Sequence, residues 1–190
     1  MLIVIDPGHG WSNSVDGKYD PGAVSGSESE AKIVMAWAAT LKFLLVQKGL
    51  TVKLTRTSDT DHAKLSRRIS AANAAGADLY ISLHCNAASA SARGTETLYR
   101  DGADKALAKV IQAAAIKAFR SFDQEWKDRG VKPESESARG KLAVFGMNCP
   151  AALLEIGFIS NSQDRVLMLR KDVRVAVCQA IADAVAEMIQ

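Results

Sequence analysis

Short apolar runs alternate along this chain with longer stretches of helical spacing, and that alternation restricts its fold more than any other feature. The first run, Leu2-Ile3-Val4-Ile5, is too short for a helix and reads as a strand buried on both faces. It stops abruptly at Asp6-Pro7-Gly8-His9-Gly10, where the Pro-Gly pair breaks the chain and presents a histidine at a strand end. A polar, Gly- and Ser-rich loop follows, then a helix from Glu30 to Gly49 whose inward stripe is Ile33, Val34, Trp37, Leu41, Leu44 and Leu45. A second strand, TVKLTR from Thr51, and a second helix through Leu65, Ile69 and Ala72 repeat the unit. This is the rhythm of a parallel sheet with helices packed on it.

Further strands are DLYISLH from Asp78, TETLYR from Thr95 and ALLEIGF from Ala152. A helix from Asp104 to Phe122 lies between the last two, and two helices parted near Lys171 and Asp172 close the chain. The segment from Asp123 to Lys141 is the least apolar and reads as a long surface loop. At 190 residues, 48% hydrophobic and 24% charged, the chain fits one domain over residues 1–190 with one core. The expected fold is α/β: a central mixed, mainly parallel twisted sheet with helices on both faces.

Composition removes several classes of function. A net charge of +3 comes from dispersed Lys and Arg residues, so nucleic acid is not expected as a partner. Cys85, Cys149 and Cys178 are odd in number and widely spaced, which supports neither a disulfide framework nor a zinc-cysteine site. No apolar stretch is long enough to enter a membrane, and the N-terminus has no signal-like charged and apolar sequence.

In α/β sheets, ligands bind beyond the carboxyl ends of the strands. His9 follows the first strand, His84 ends the third and Glu155 lies late in the last, so all three can face one crevice. Glu30 shares the inward stripe of its helix and points toward the sheet, although Ser27-Glu28-Ser29-Glu30 also fits a capping box that needs no metal. His84 equally fits a satisfied core histidine, and His9 a loop residue bonded to its own turn. Cys85 points away from His84 on an extended strand, while Asn86 shares its face. His62, beside Asp59 and Asp61, reads as a surface residue. A carboxylate buried in the run around Glu155 is costly without a purpose. Two histidines and one carboxylate suit catalytic zinc, which leaves Glu155 free as a base for amide hydrolysis.

These residues carry a resemblance. IDPGHG, a Glu opening the first helix, TR after the second strand, ISLHCN and LLEIGFISN occur in the order found in zinc-dependent N-acetylmuramoyl-L-alanine amidases, a family of cell-division amidases and phage endolysins. The resemblance covers nearly the whole chain. It implies one Zn2+ held by His9, Glu30 and His84, with Glu155 as the catalytic carboxylate and peptidoglycan as substrate. The bond cut would be the amide between the lactyl group of N-acetylmuramic acid and the L-alanine of the stem peptide. Asn86 either bonds substrate or orients a ligand. Trp11 stands where the family often has glycine, and would either stack on a sugar or pack on the sheet.

No inhibitory helical insertion is recognisable between Asp123 and Lys141, so no obligatory activator is expected, and no separate wall-binding domain is evident. The expected setting is an endolysin-like enzyme made in the cytoplasm and acting on the wall after release. The alternative is the trimmed catalytic domain of a secreted enzyme. Rival functions are another zinc hydrolase of the wall, a peptidase or deacetylase, and an inactive wall-binding module.

Overall fold

In the computed structural model, which describes residues 1–137 and 140–189, six strands form one sheet. They are β1 (Leu2–Pro7), β2 (Thr51–Leu54), β3 (Leu79–Asn86), β4 (Thr95–Tyr99), β5 (Asp128–Pro133) and β6 (Ala151–Phe158). Their spatial order is β2-β1-β3-β6-β4-β5. The strands β2, β1, β3 and β6 run parallel; β4 opposes β6, and β5 runs alongside β4. Five helices accompany them among the described residues: α1 (Glu30–Gln47), α2 (Leu65–Ala74), α3 (Gly102–Phe119), α4 (Ser162–Leu169) and α5 (Lys171–Met188).

Side-chain alternation along β1 decides what covers each face of the sheet. Ile3 and Ile5 enter the larger core with Ile33, Val34, Trp37 and Leu41 of α1, Ile111 and Phe119 of α3, and Val177 and Ile181 of α5. Val4 points the other way, into a smaller core with Tyr80, Leu98, Ala151, Leu153 and Ala72 of α2. Helices therefore cover both faces, as expected, but unequally. The thinner layer leaves the carboxyl ends of β1, β3 and β6 reachable on that side. Among the described residues no helix is long and apolar enough to cross a membrane.

Two local expectations are corrected. The segment from Asp123 to Lys141 is not a plain surface loop: Asp128–Pro133 adds the edge strand β5, and a short 3-10 turn spans Glu134–Glu136. Its anchor is Trp126, which is fully buried, stacks on Phe119 at 4.1 Å between ring centroids and donates Nε1–H to Thr95 Oγ1 at 2.9 Å. A single tryptophan among charged residues leaves no periodicity to read. Residues 138 and 139 of that segment lie outside the described residues. The capping box is also absent, because the residue at the N-cap of α1 is Ser29 and its side chain makes no capping bond.

Candidate metal centre

His9 reaches its place through an unusual backbone. Its φ of +63° is left-handed, a conformation most L-residues avoid, and such strain persists only where surroundings impose it. Two buried guanidiniums do so here. Arg56 donates Nε–H to Pro7 O at 2.9 Å and Nη2–H to Gly8 O at 2.8 Å. Arg68 donates Nη1–H to Pro7 O at 2.9 Å and Nη2–H to His9 O. The carbonyls of three successive residues are thus held, and Asp6, fully buried, balances Arg68 at 3.1 Å.

Glu30 stands in the first turn of α1 and is 4% exposed. Oε2 accepts from Ala23 N–H at 2.9 Å, and Oε1 accepts from Cys85 N–H at 3.0 Å. The same Oε1 lies 2.8 Å from His84 Nδ1 and 3.1 Å from His9 Nε2. Burial pushes the Glu30 carboxyl up, but the two imidazoles outweigh it and hold the group well below the usual carboxylate range. Burial likewise works against charging His9, and Glu30 and Asp20 overcome it, raising its pKa. Asp20 Oδ2 sits 3.1 Å from His9 Nδ1, on the other side of the ring from Glu30.

Close approach at this site demands two glycines. A Cβ on Gly8 would stand 2.3 Å from the His84 ring, and one on Gly22 would stand 2.5 Å from Glu30 Oε2. Gly22 also has a φ of +66°.

His9, Glu30 and His84 each bring one donor atom into a set whose members all lie within 4.8 Å of one another. Nitrogen, oxygen and nitrogen donors at this spacing fit a divalent transition metal with an open coordination position. Cys85 is buried on the opposite side of β3 and takes no part.

Glu155 pairs in register with His84 across β6 and β3, so the two side chains stand side by side on the thinner-covered face. Its Oε2 is closed to solvent and has no hydrogen-bond partner among the described residues. Burial, then the charges of Glu30 and Glu96, push the Glu155 carboxyl well above the ordinary range.

The residues around this centre divide in ways the sequence did not announce. Asn86 donates one Nδ2–H to Glu96 Oε1 at 2.8 Å and accepts from Ala87 N–H, which fixes its orientation beside the Glu155 row. Glu96, paired with Glu155 across β4, was missed, as were Arg68, Asp6 and Asp20. An alternating Thr-Glu-Thr strand was the available signal for Glu96. Asn161 of the last motif caps α4, accepting from Gln163 and Asp164 N–H. Trp11 is half-buried, with its ring packed against His62 at 5.9 Å between centroids. His62 is on the surface as expected, 3.0 Å from Ser12 Oγ.

Residues 3–187 match the family described as N-acetylmuramoyl-L-alanine amidase. The probable cell wall amidase LytH of Staphylococcus saprophyticus is 33% identical over 186 residues, covering 95% of this chain and 56% of its own length. The endolysin of Bacillus phage SPP1 is 31% identical over 195 residues, covering 99% of this chain and 66% of its own. This chain therefore spans little more than half of the first relative and about two thirds of the second. Among solved structures, the catalytic domain of CwlV, an N-acetylmuramoyl-L-alanine amidase from Bacillus (Paenibacillus) polymyxa var. colistinus, superposes with a TM-score of 0.84 at 32% identity. That match covers 99% of this chain and 97% of the other. With the match over residues 3–187 and the likeness of fold in agreement, the chain belongs to the N-acetylmuramoyl-L-alanine amidase family.

Proposed function

We propose that this chain is a zinc-dependent peptidoglycan hydrolase that cleaves the amide between the lactyl group of N-acetylmuramic acid and the L-alanine of the stem peptide. The observation that carries the reading is Oε2 of Glu155, closed to solvent and without a hydrogen-bond partner among the described residues, beside the converging donors of His9, Glu30 and His84. Those three would hold Zn2+, which supplies an acidified water and a Lewis acid for the amide carbonyl.

Glu155 then handles the proton. It accepts one as water adds to the carbonyl carbon and delivers it to the alanine nitrogen as the C–N bond breaks. A raised pKa suits that shuttle, because an ordinary carboxylate would return a proton poorly near neutrality. His9 and His84 remain in place because Glu30, the loop carbonyls and the sheet fix them. The family description, N-acetylmuramoyl-L-alanine amidase, supports this bond, and the likeness to LytH, described as a probable cell wall amidase, supports this polymer.

Mass spectrometry of fragments released from purified peptidoglycan, with and without chelator, tests the reading. Stem peptides beginning at L-alanine, with lactyl groups intact on the glycan and both lost on chelation, are expected. Cut stem peptides or deacetylated sugars would move the activity to another bond, and no products would leave a binding module.

The biological role we assign is that of a lysin reaching the wall after release, supported by the match to an endolysin over 99% of this chain. Producing the protein inside bacterial cells, with and without permeabilising their inner membrane, checks it. Lysis only after permeabilisation is expected, whereas lysis without it, or in neither case, would defeat the assignment.

A further inference from the structure

Past Glu155 the sheet continues through β4 to its edge strand β5, and a second charged group lies along that row. Glu96 is paired in register with Glu155. Its Oε1 is taken by Asn86, so its Oε2 alone receives both Arg129 Nε–H at 2.6 Å and Lys132 Nζ at 2.7 Å. Two cations thus share one carboxylate, and one positive charge is left over at the rim. The Arg129 and Lys132 side chains are 30% and 28% exposed, against 11% for Glu96. Neither cation has a further acceptor among the described residues.

Arg129 is also held in orientation. Its guanidinium carbon lies 4.8 Å from the centroid of the Phe158 ring, which fixes the plane of the fork. The register between β4 and β5 is irregular between Thr95 and Thr97, the stretch that contains Glu96, and Gly130 turns through a φ of +78° opposite it. A bulge of this kind re-aims a side chain.

Direction follows from the chemistry of the proposed reaction. Glu155 gives its proton to the leaving nitrogen, so the departing peptide lies on the Glu155 side of the metal ligands, toward β4 and β5. We infer that Arg129 and Lys132 form a subsite for a free carboxylate on the second residue of the stem peptide, held ready by Glu96. A glutamate joined through its side chain at that position would leave its α-carboxyl group available, either free or as the amide. Two residues of extended chain reach roughly 7 Å, and one to two strand spacings amount to roughly 5–10 Å, so the lengths agree. An Arg fork and an ammonium distinguish a carboxylate from a carboxamide by charge.

This inference rests on the amidase reading, and the experiment separates the two. Soluble glycan–stem fragments are prepared in two forms that differ only in that carboxyl group, free or amidated, and kcat and KM are measured on each. The wild-type protein is expected to favour the free carboxylate by about tenfold in kcat/KM, mainly through KM, as expected for a charge-assisted bond made alike in ground and transition states. Arg129→Gln should bring the ratio close to one, and Lys132→Gln should lower it. A purely structural role for these residues would depress both substrates equally and leave the ratio unchanged, which would overturn the subsite. Equal wild-type rates on the two forms would also overturn it while leaving the amidase reading intact. Cleavage of neither form would defeat the amidase reading itself, and the subsite with it.

Discussion

His9, with its left-handed backbone, and Glu155 each occupy a state that a residue chosen for stability alone would avoid. Glu155 is the clearest: burial leaves one of its oxygens without a partner, an arrangement tolerated where chemistry uses it. Glu155→Gln should keep the fold and stoichiometric zinc while kcat falls by roughly 10²–10⁴, the usual contribution of a positioned acid–base group. Its stability in urea should equal or exceed that of the wild type, because a neutral amide replaces a costly carboxylate. Near wild-type turnover in a folded variant would remove Glu155 from the mechanism.

Asp6 is the buried counter-charge of Arg68 and also accepts from Ser82 Oγ at 2.9 Å. Asp6→Asn should cost about 3–5 kcal/mol at neutral pH, since it strands a buried guanidinium. Burial pushes the Asp6 carboxyl up, but Arg68, Thr55, His84 and Ser82 together bring its pKa below the usual value. A depressed native pKa contributes stability that is present above the unfolded value of about 3.9 and lost as pH falls through the native one. The difference between variant and wild type in denaturant melts should therefore be flat near pH 7 and shrink below about pH 4. A difference that grows on acidification would contradict the assignment.

At the scale of elements, the edge strand β5 depends on one anchor. Trp126 is 1% exposed, with Phe119 stacked on it and Thr95 at its indole nitrogen. Trp126→Ala should cost about 3–5 kcal/mol by removing a large buried aromatic side chain. Because β5 pairs on one side only, the damage should concentrate there, with hydrogen exchange accelerating in residues 128–133 before it does in β3. Unfolding within about 1 kcal/mol of the wild type would show that the segment is held by something other than Trp126.

The whole molecule draws the three proposed metal ligands from separate elements, the turn after β1, the start of α1 and the end of β3, and none of the three belongs to either hydrophobic core. Removing zinc with chelator should abolish cleavage yet leave the far-UV circular dichroism unchanged. Restoring zinc to 100 times its Kd adds about 2.7 kcal/mol to the native state. At roughly 2–4 °C per kcal/mol for a chain of this size, Tm should rise by about 5–10 °C. Loss of helical signal on chelation would instead make the metal structural.

The alternation of apolar runs with helical spacing was enough to predict strands β1, β2, β3, β4 and β6, all five helices and the mixed, mainly parallel sheet, because period and breakers are local properties of a chain. Local signals also singled out His9, Glu30, His84 and Glu155 as candidates, since each is a polar residue at the end of an apolar element. They did not reveal β5, whose residues lack an apolar pattern and are recruited by pairing with β4 and by the burial of Trp126. Nor did they decide between Glu30 as a cap and Glu30 beside two imidazoles, because the histidines lie 21 and 54 residues away in sequence. The packing of α1 against the sheet settles that choice, together with the two arginines that fix the turn before it. The Glu96–Arg129–Lys132 row exists only because β4 and β5 lie beyond β6 in space. Which charges become neighbours across a sheet depends on strand order, and strand order is a property of the folded molecule.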